Sequence, residues 1–390
     1  MQESSLSLQV RIFFICGFVL IVAIMVLFTP QIAKQIAYSW TIGAERAKAE
    51  TARQFLADNP LSEQRIAWVA KAVAPSVVGV HVISTRPPDE YGSRRGSAGT
   101  LEADLGSGVI VDAQEGYILT NFHVIEYALA IAVRLNDGRE VEAEIVGLDR
   151  TVDLAVLRID AGDLEAIEWG NSRQAAAGEQ VLAIGSPYGL QQTVTSGIIS
   201  ATERYINTPS MQRARRNTRP IPQALLQTDA AINQGNSGGA LVDMDGKLIG
   251  ICTSIISMES GGNSGIGFAI PSDTAKEIFE AIVQHGEVKH GYLGIELDAV
   301  TSFESRQLKQ KKPMGAMVRN LSRGNSPARD AGLQSGDIIL RWGEMEINNP
   351  LQLTHTITFT QPGTKQMVEV FRNGEFMTIE ITVGTRPTNL

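Results

Sequence analysis

Cysteine is scarce in this 390-residue chain, which carries Cys16 and Cys252 and no other. Cys16 lies in an apolar N-terminal run and Cys252 in a strand-like core segment, on opposite sides of an expected membrane boundary. That placement argues against an internal disulfide, and the lack of any CxxC or metal-ligand spacing argues against redox or metal chemistry. No phosphate loop, zinc signature or dinucleotide fingerprint occurs, so no cofactor and no metal is expected. Positive charge is also short: 34 basic against 42 acidic residues leave a net charge of −8. A nucleic-acid partner is not expected, because phosphate binding needs a positive surface. Arg213, Arg215, Arg216 and Arg219 are a local exception, read as a solvated loop or a contact for an acidic partner. No period of 20 to 50 residues repeats, which excludes a solenoid. Histidine is limited to five positions, 81, 123, 285, 290 and 355.

What is present suits a β-rich globular protein, with 43% hydrophobic and 19% charged residues and 37 glycines. The length allows two folded units and an appendage. No charge interrupts the chain between Arg11 and Lys34, and Ile12–Phe28 is dense in Ile, Phe, Val and Leu. As a helix, that span crosses a hydrocarbon core of roughly 30 Å. A cleaved signal peptide is the competing reading, but no A-x-A-like site precedes Lys34, so an uncleaved anchor is expected. Arg11 before the span and Lys34, Arg46 and Lys48 after it leave the orientation unsettled. Residues 44–58, rich in Ala, Glu, Lys and Arg and closed by Asn59-Pro60, read as a solvated helical spacer. Ser62 is a possible cap for a second short helix ending near Val73.

From Ser76 the pattern changes to short β-type runs separated by turn residues, through Gly267 to Ile270. Many short strands at this spacing argue for two antiparallel barrels over Ser76–Pro271 rather than a doubly wound sheet. Arg86–Gly106 and Asn207–Pro222 break the rhythm and read as loops. Pro271–His285 has helical spacing, ends near Gly286, and bridges to Tyr292–Gly384. That last segment has its own strands, a short helix at Ser326–Ala331, turns at Gly336-Asp337 and Asn373-Gly374, and a second helix near Leu351–Ile357.

Ser237 stands in Gly235-Asn236-Ser237-Gly238-Gly239 between strand-like runs. A serine in a glycine turn can be aimed outward, with flanking N–H groups free to hold a developing oxyanion, as acyl transfer requires. Its base must come from the five histidines. His81 lies inside an alternating strand, His285 and His290 beside linker glycines, and His355 on the last helix. His123, at the end of a strand, is the choice: it accepts the serine proton and returns it to the leaving amine. Asp153, before the apolar run Leu154–Leu157, is placed to fix the imidazole tautomer. Alone it reads as a turn residue; the three together, in the order His, Asp, Ser, point to a protease.

These residues resemble the trypsin-like HtrA/Deg serine proteases, most closely the membrane-anchored, single-PDZ DegS-type members. The resemblance covers roughly Ile66–Gly384. It rests on Gly106-Ser107-Gly108-Val109-Ile110, Thr120-Asn121-Phe122-His123-Val124, Thr151-Val152-Asp153-Leu154-Ala155-Val156, Thr228 to Gly239, and Gly265 to Pro271. It implies a mainly β protein: an N-terminal transmembrane anchor (1–35), a juxtamembrane spacer (36–65), a trypsin-like double β-barrel protease domain (66–280) and a PDZ domain (281–390). It further implies His123, Asp153 and Ser237 as the triad and the N–H groups of Gly235 and Ser237 as the oxyanion hole. Ile266, Gly267, Phe268 and Ala269 border an apolar substrate pocket for a small aliphatic residue, and Arg204 matches a regulatory arginine. Gln234 departs from the basic or imidazole residue common there.

Tyr292-Leu293-Gly294-Ile295 matches a PDZ carboxylate-binding loop, in which successive N–H groups capture a peptide C-terminus. An ordinary turn into a strand is the plain alternative; Ser326-Pro327-Ala328 and Ala331–Ile339 favour the loop. Leu351, Leu353 and Ile357 then wall the groove or fill the core. By resemblance, the partners are protein C-termini and a membrane-protein substrate, an anti-sigma factor cleaved to start an envelope-stress response. The assembly is a homotrimer on the inner membrane with its folded domains in the periplasm. A general quality-control protease, or a PDZ binding protein with an inactive site, are the rival functions.

Overall fold

The apolar segments 154–159, 180–185 and 248–253 are buried along nearly their whole length, as strands covered on both faces require. The computed structural model describes residues 42–58, 64–84, 102–186, 192–206, 221–233, 235–253 and 265–387. The expected anchor at 12–28, Cys16, Ser62, loop residues 86–101 and 207–220, and Gln234 lie outside the described residues. Among the described residues, no helix is long and apolar enough to cross a membrane.

Strands β1 (Val77–Ser84), β2 (Glu102–Asp112), β3 (Tyr117–Asn121), β4 (Ala128–Arg134), β5 (Glu140–Asp149) and β6 (Leu154–Ile159) close in the cyclic order β1-β2-β3-β6-β5-β4. Closure leaves no open sheet edge. Side chains alternate along each strand: Ala155, Leu157 and Ile159 of β6 fill the barrel, whereas Leu154 and Val156 face a second core between barrels. β7 (Gln180–Gly185), β8 (Thr193–Ile206), β9 (Gln223–Thr228), β10 (Ala240–Val242), β11 (Leu248–Thr253) and β12 (Gly267–Pro271) form the second closed barrel, in the order β10-β11-β12-β9-β8-β7. Val181 and Ala183 of β7 fill it, while Leu182 and Ile184 join the shared core. Each such fully buried Leu, Ile or Val contributes roughly 1.5–3 kcal/mol.

Two sequence readings are corrected here. Residues 102–106, at the end of the expected loop Arg86–Gly106, belong to β2, paired with β1 from Ser84↔Glu102 to Val80↔Gly106. Glu, Ala and Asp are poor strand formers, but a continuous ladder with β1 satisfies their backbone groups. Second, the helix at residues 42–58 (α1) is not a solvated spacer. Ala49 and Ala52 are completely buried and Leu56 nearly so. Arg53 donates to the Ala72 carbonyl, and Arg46 pairs with Asp163 at 3.0 Å. The spacing 49, 52, 56 is one helical stripe, and its small alanines let the helix lie close to the barrel under a charged outer face.

α2 (Arg65–Val73) buries Val69, Ala72 and Val73, with Gln64 at its N-cap. A four-residue helix, α3 (Phe122–Ile125), follows β3. α4 (Ser272–His285) packs Ala275, Ile278 and Ile282 into the inter-barrel core and ends at Gly286, whose φ of 74° gives a left-handed cap.

The C-terminal unit comprises β13 (Gly291–Tyr292), β14 (Ile295–Ala299), α5 (Ser302–Gln307), β15 (Ala316–Leu321), α6 (Pro327–Asp330), β16 (Ile338–Trp342), β17 (Met345–Glu346), α7 (Pro350–Phe359), β18 (Lys365–Arg372), β19 (Glu375–Thr382) and β20 (Gly384–Thr385). Its main sheet runs β14-β15-β16-β18-β19, with β14 at an edge, β17 on β16, and β13 paired to β20. Asn373 and Gly374, at φ 52° and 95°, form the tight turn between β18 and β19. Leu353 and Ile357 of α7 are core residues with Val318, Ile339, Val368 and Ile381. The helix's His355 faces the protease barrels instead: its ring lies 5.5 Å from that of Tyr205, and its Nδ1 accepts the Ala224 N–H at 3.4 Å.

Candidate active site

β3 and β6 are neighbours in the first barrel, with Asn121 opposite Leu154. That register sets α3, just past Asn121, beside the turn just before Leu154. Asp153 sits in this turn at φ 61°, a left-handed conformation that Asp tolerates better than most residues. Its main-chain carbonyl accepts the Phe122 N–H and the Asn121 side-chain amide, both at 3.1 Å. Its carboxylate accepts the His123 N–H at 2.9 Å through Oδ1, and through Oδ2 meets His123 Nδ1 at 2.7 Å and Thr253 Oγ1 at 3.3 Å. Nδ1 therefore carries the proton, which leaves Nε2 to act as a base. Asp153 is buried, whereas the His123 side chain is one-third exposed, so the imidazole reaches solvent while the carboxylate beside it does not.

Ser237 lies in a loop bracketed by Gly235 and Gly238, at φ 98° and 83°. A Cβ on Gly238 would stand 2.1 Å from the Ser107 carbonyl oxygen, so only glycine fits. The loop is tied down by bonds from Ser107 N to the Ser237 carbonyl, Gly238 N to the Cys252 carbonyl and Asn236 N to the Asn233 carbonyl, at 2.9 to 3.0 Å. Among the described residues, no acceptor takes the N–H of Gly235 or Ser237, as an oxyanion hole requires. The Ser237 hydroxyl likewise has no hydrogen-bond partner among them; catalytic serine–histidine bonds are often long before substrate arrives.

The four expected pocket residues have different surroundings. Ile266 is exposed, and Gly267 packs against Ile232, whose Cδ1 lies 2.9 Å from where a Cβ would sit. Phe268 is buried in the inter-barrel layer and Ala269 in the second barrel. Arg204, on β8, donates to Gln227 Oε1 at 2.9 Å and contacts no triad residue through a hydrogen bond. Thr253 and Ile232 escape sequence reasoning because each is one apolar-strand or loop residue among many. In the sequence, Ser107 stands out only as part of the run Gly106-Ser107-Gly108-Val109-Ile110. Burial pushes the Cys252 thiol up to about 12, keeping it protonated beside the loop.

In the C-terminal unit, Gly294 has φ 70°, and the Leu293 and Gly294 carbonyls are turned inward. Ser326 Oγ donates to both, Ala328 N to Leu293 and Ser322 N to Gly294. Among the described residues no backbone carbonyl accepts the N–H of Leu293 or Gly294. Two donors thus stand at the head of the open β14 edge, beside Ile295.

The trypsin-like peptidase domain family matches residues 106–251, and the PDZ domain family matches 291–383. A probable periplasmic serine endoprotease DegP-like from Chlamydia muridarum is 41% identical over 287 residues, 73% of this chain and 55% of its own length. The periplasmic pH-dependent serine endoprotease DegQ of Escherichia coli is 38% identical over 333 residues, 82% of this chain and 70% of its own. The chain spans a little over half the length of the first curated relatives it matches. The solved structure of the HtrA-type protease AlgW with tripeptide superposes with a TM-score of 0.68 at 40% identity, covering 82% of this chain and 96% of that one. With its double barrel, its coupled His123 and Asp153, and its PDZ unit, the chain belongs to the HtrA/DegP-like family of serine endoproteases.

Proposed function

We propose that this protein is a membrane-tethered serine endopeptidase of the DegS type, switched on when its PDZ domain binds an exposed protein C-terminus. The observation that carries the chemistry is the 2.7 Å bond between His123 Nδ1 and Asp153 Oδ2, with Ser237 in a loop where, among the described residues, no acceptor takes the Gly235 or Ser237 N–H. Ser237 Oγ attacks the scissile carbonyl as His123 Nε2 takes its proton, and the N–H groups of Gly235 and Ser237 hold the resulting oxyanion. His123 then protonates the leaving amine and activates the water that releases the acyl group. The resemblance to the family supports a pocket bordered by Ile266, Gly267, Phe268 and Ala269 for a small aliphatic side chain before the cut.

The turned-in carbonyls at Leu293 and Gly294, beside the open β14 edge, support capture of a peptide carboxylate by Tyr292–Ile295 with strand addition along β14. AlgW, the neighbour cited above, is a peptide complex. The apolar run at 12–28 supports an inner-membrane anchor, and the curated relatives are named periplasmic. A homotrimer, an activating role for Arg204, and an anti-sigma factor as substrate complete the reading. The names DegP-like and DegQ favour a second one, a general quality-control protease.

The test is cleavage of an unfolded protein with and without hydrophobic C-terminal peptides. Peptide-stimulated cleavage that Ser237→Ala abolishes is the expected result. Broad casein degradation without peptide points to the quality-control reading, and no Ser237-dependent cleavage in either condition removes the enzyme reading.

A further inference from the structure

Ser107 has no solvent exposure and belongs to β2 in the first barrel, yet its polar groups converge on the nucleophile loop. Its Oγ donates to the Gly235 carbonyl at 2.6 Å and accepts the Ser186 N–H at 2.8 Å. Its N–H donates to the Ser237 carbonyl at 2.9 Å, and its carbonyl accepts Thr120 Oγ1 at 2.7 Å. The preceding residue, Gly106, is pressed against α3: a Cβ there would stand 2.6 Å from Val124 Cγ1. Consecutive residues of one strand therefore touch the helix carrying the base and the loop carrying the nucleophile.

We propose that Ser107 is a positioning residue that selects the loop conformation in which the Gly235 and Ser237 N–H groups face a reacting carbonyl oxygen. The inference rests on Ser237 being the nucleophile. Glycines at φ 98° and 83° on either side of Asn236-Ser237 make several backbone shapes accessible to the loop, so contacts from outside must choose one. The Gly235 carbonyl and the Asn236 N–H share one peptide plane. Ser107 Oγ holds the first and the Asn233 carbonyl the second, which fixes that plane at both ends. A hydroxyl suits the position because it donates to Gly235 while accepting from Ser186. Alanine would strand both groups in a buried site, and the loop would recover their hydrogen bonds by rotating away from the oxyanion geometry.

The experiment uses the full chain in detergent micelles, with Ser107→Ala, Ser107→Cys and Ser237→Ala. It reads kcat and KM on an unfolded substrate, the affinity of a peptide boronate whose adduct oxygen occupies the oxyanion site, and the affinity of a C-terminal peptide for the PDZ domain. Ser107→Ala is expected to lower kcat about 10- to 100-fold, less than loss of a direct oxyanion donor. KM should stay within about twofold, boronate affinity should fall with kcat, PDZ-peptide affinity should hold, and Ser107→Cys should recover part of kcat because its thiol is a weak donor and acceptor. Wild-type kcat or boronate affinity in Ser107→Ala, or a matching loss of PDZ-peptide affinity, overturns the proposal. Should Ser107→Ala not fold, Ser107→Cys decides by the same criteria: lowered kcat with KM and PDZ-peptide affinity kept supports it, and wild-type kcat overturns it. Cleavage surviving in Ser237→Ala would remove the nucleophile assignment and this inference with it, whereas a dead Ser237→Ala beside a fully active Ser107→Ala removes the positioning role alone.

Discussion

Asp149 Oδ2 lies 2.8 Å from His290 Nε2, while Asp149 Oδ1 accepts the N–H groups of Thr151 and Val152 at 2.8 and 3.4 Å. One buried carboxylate thus ties the segment entering the PDZ unit to the turn that delivers Asp153. Removing His290 leaves that carboxylate short of a partner, at a cost of about 1.5–3 kcal/mol. His290→Ala and Asp149→Asn should each lower the urea unfolding midpoint, and a double-mutant cycle should give a coupling of about 1–2 kcal/mol. Strictly additive effects would show that the two side chains do not support each other.

Docking of α7 on the barrels should weaken in acid. Burial lowers the pKa of His355 to about 4, with the Pro222 carbonyl offsetting part of that shift. Because the folded value lies below the unfolded value of about 6.5, the contribution is fully present above pH 6.5 and is lost progressively as pH falls toward 4. The loss amounts to about 3 kcal/mol at its limit. Tyr205, on the facing strand, stays protonated through this range, since burial and nearby Glu203 push it up to about 12. Small-angle scattering should show the PDZ unit separating between pH 6.5 and 4, and His355→Phe should flatten that dependence. An unchanged profile in His355→Phe would assign the transition to other groups.

Asp153→Asn should keep the turn but present an amide to Nδ1, favouring the wrong imidazole tautomer. A fall in kcat of about 10³- to 10⁴-fold at neutral pH is expected, with substrate affinity retained. Steady-state kinetics at matched enzyme concentration checks this, and a loss under tenfold would mean that Asp153 does not orient the base.

Amidating the C-terminus of an activating peptide should weaken its binding at least tenfold, because the donors above Gly294 then face a neutral group instead of a carboxylate. Fluorescence anisotropy with matched acid and amide peptides measures the difference. Equal affinities would relocate recognition to the groove walls.

Replacing two of the buried residues of α1, through Ala49→Glu and Ala52→Glu, should release the helix by forcing charge into its apolar seam. Hydrogen exchange across residues 42–58 is the readout. Undiminished protection would show that the Arg46 and Arg53 contacts hold the helix without its alanine stripe.

Sequence alone made the chemistry legible, because acyl transfer needs particular atoms and those atoms occur in few places. Five histidines and the serine of Gly235-Asn236-Ser237-Gly238-Gly239 narrowed the search to His123 and Ser237, and Asn373-Gly374 marked its own turn. The tertiary structure alone decided what depends on partners distant in the chain. Glu102–Gly106 became strand because β1 lay alongside, and residues 42–58 became a docked helix because two alanines met a barrel wall. Phe268 and Ala269 turned into the core through the register of β12. Ser107 acquired its place through hydrogen bonds to residues 79 and 128 positions away, and no local pattern records such pairings, since one hydroxyl looks like any other until the chain closes around it.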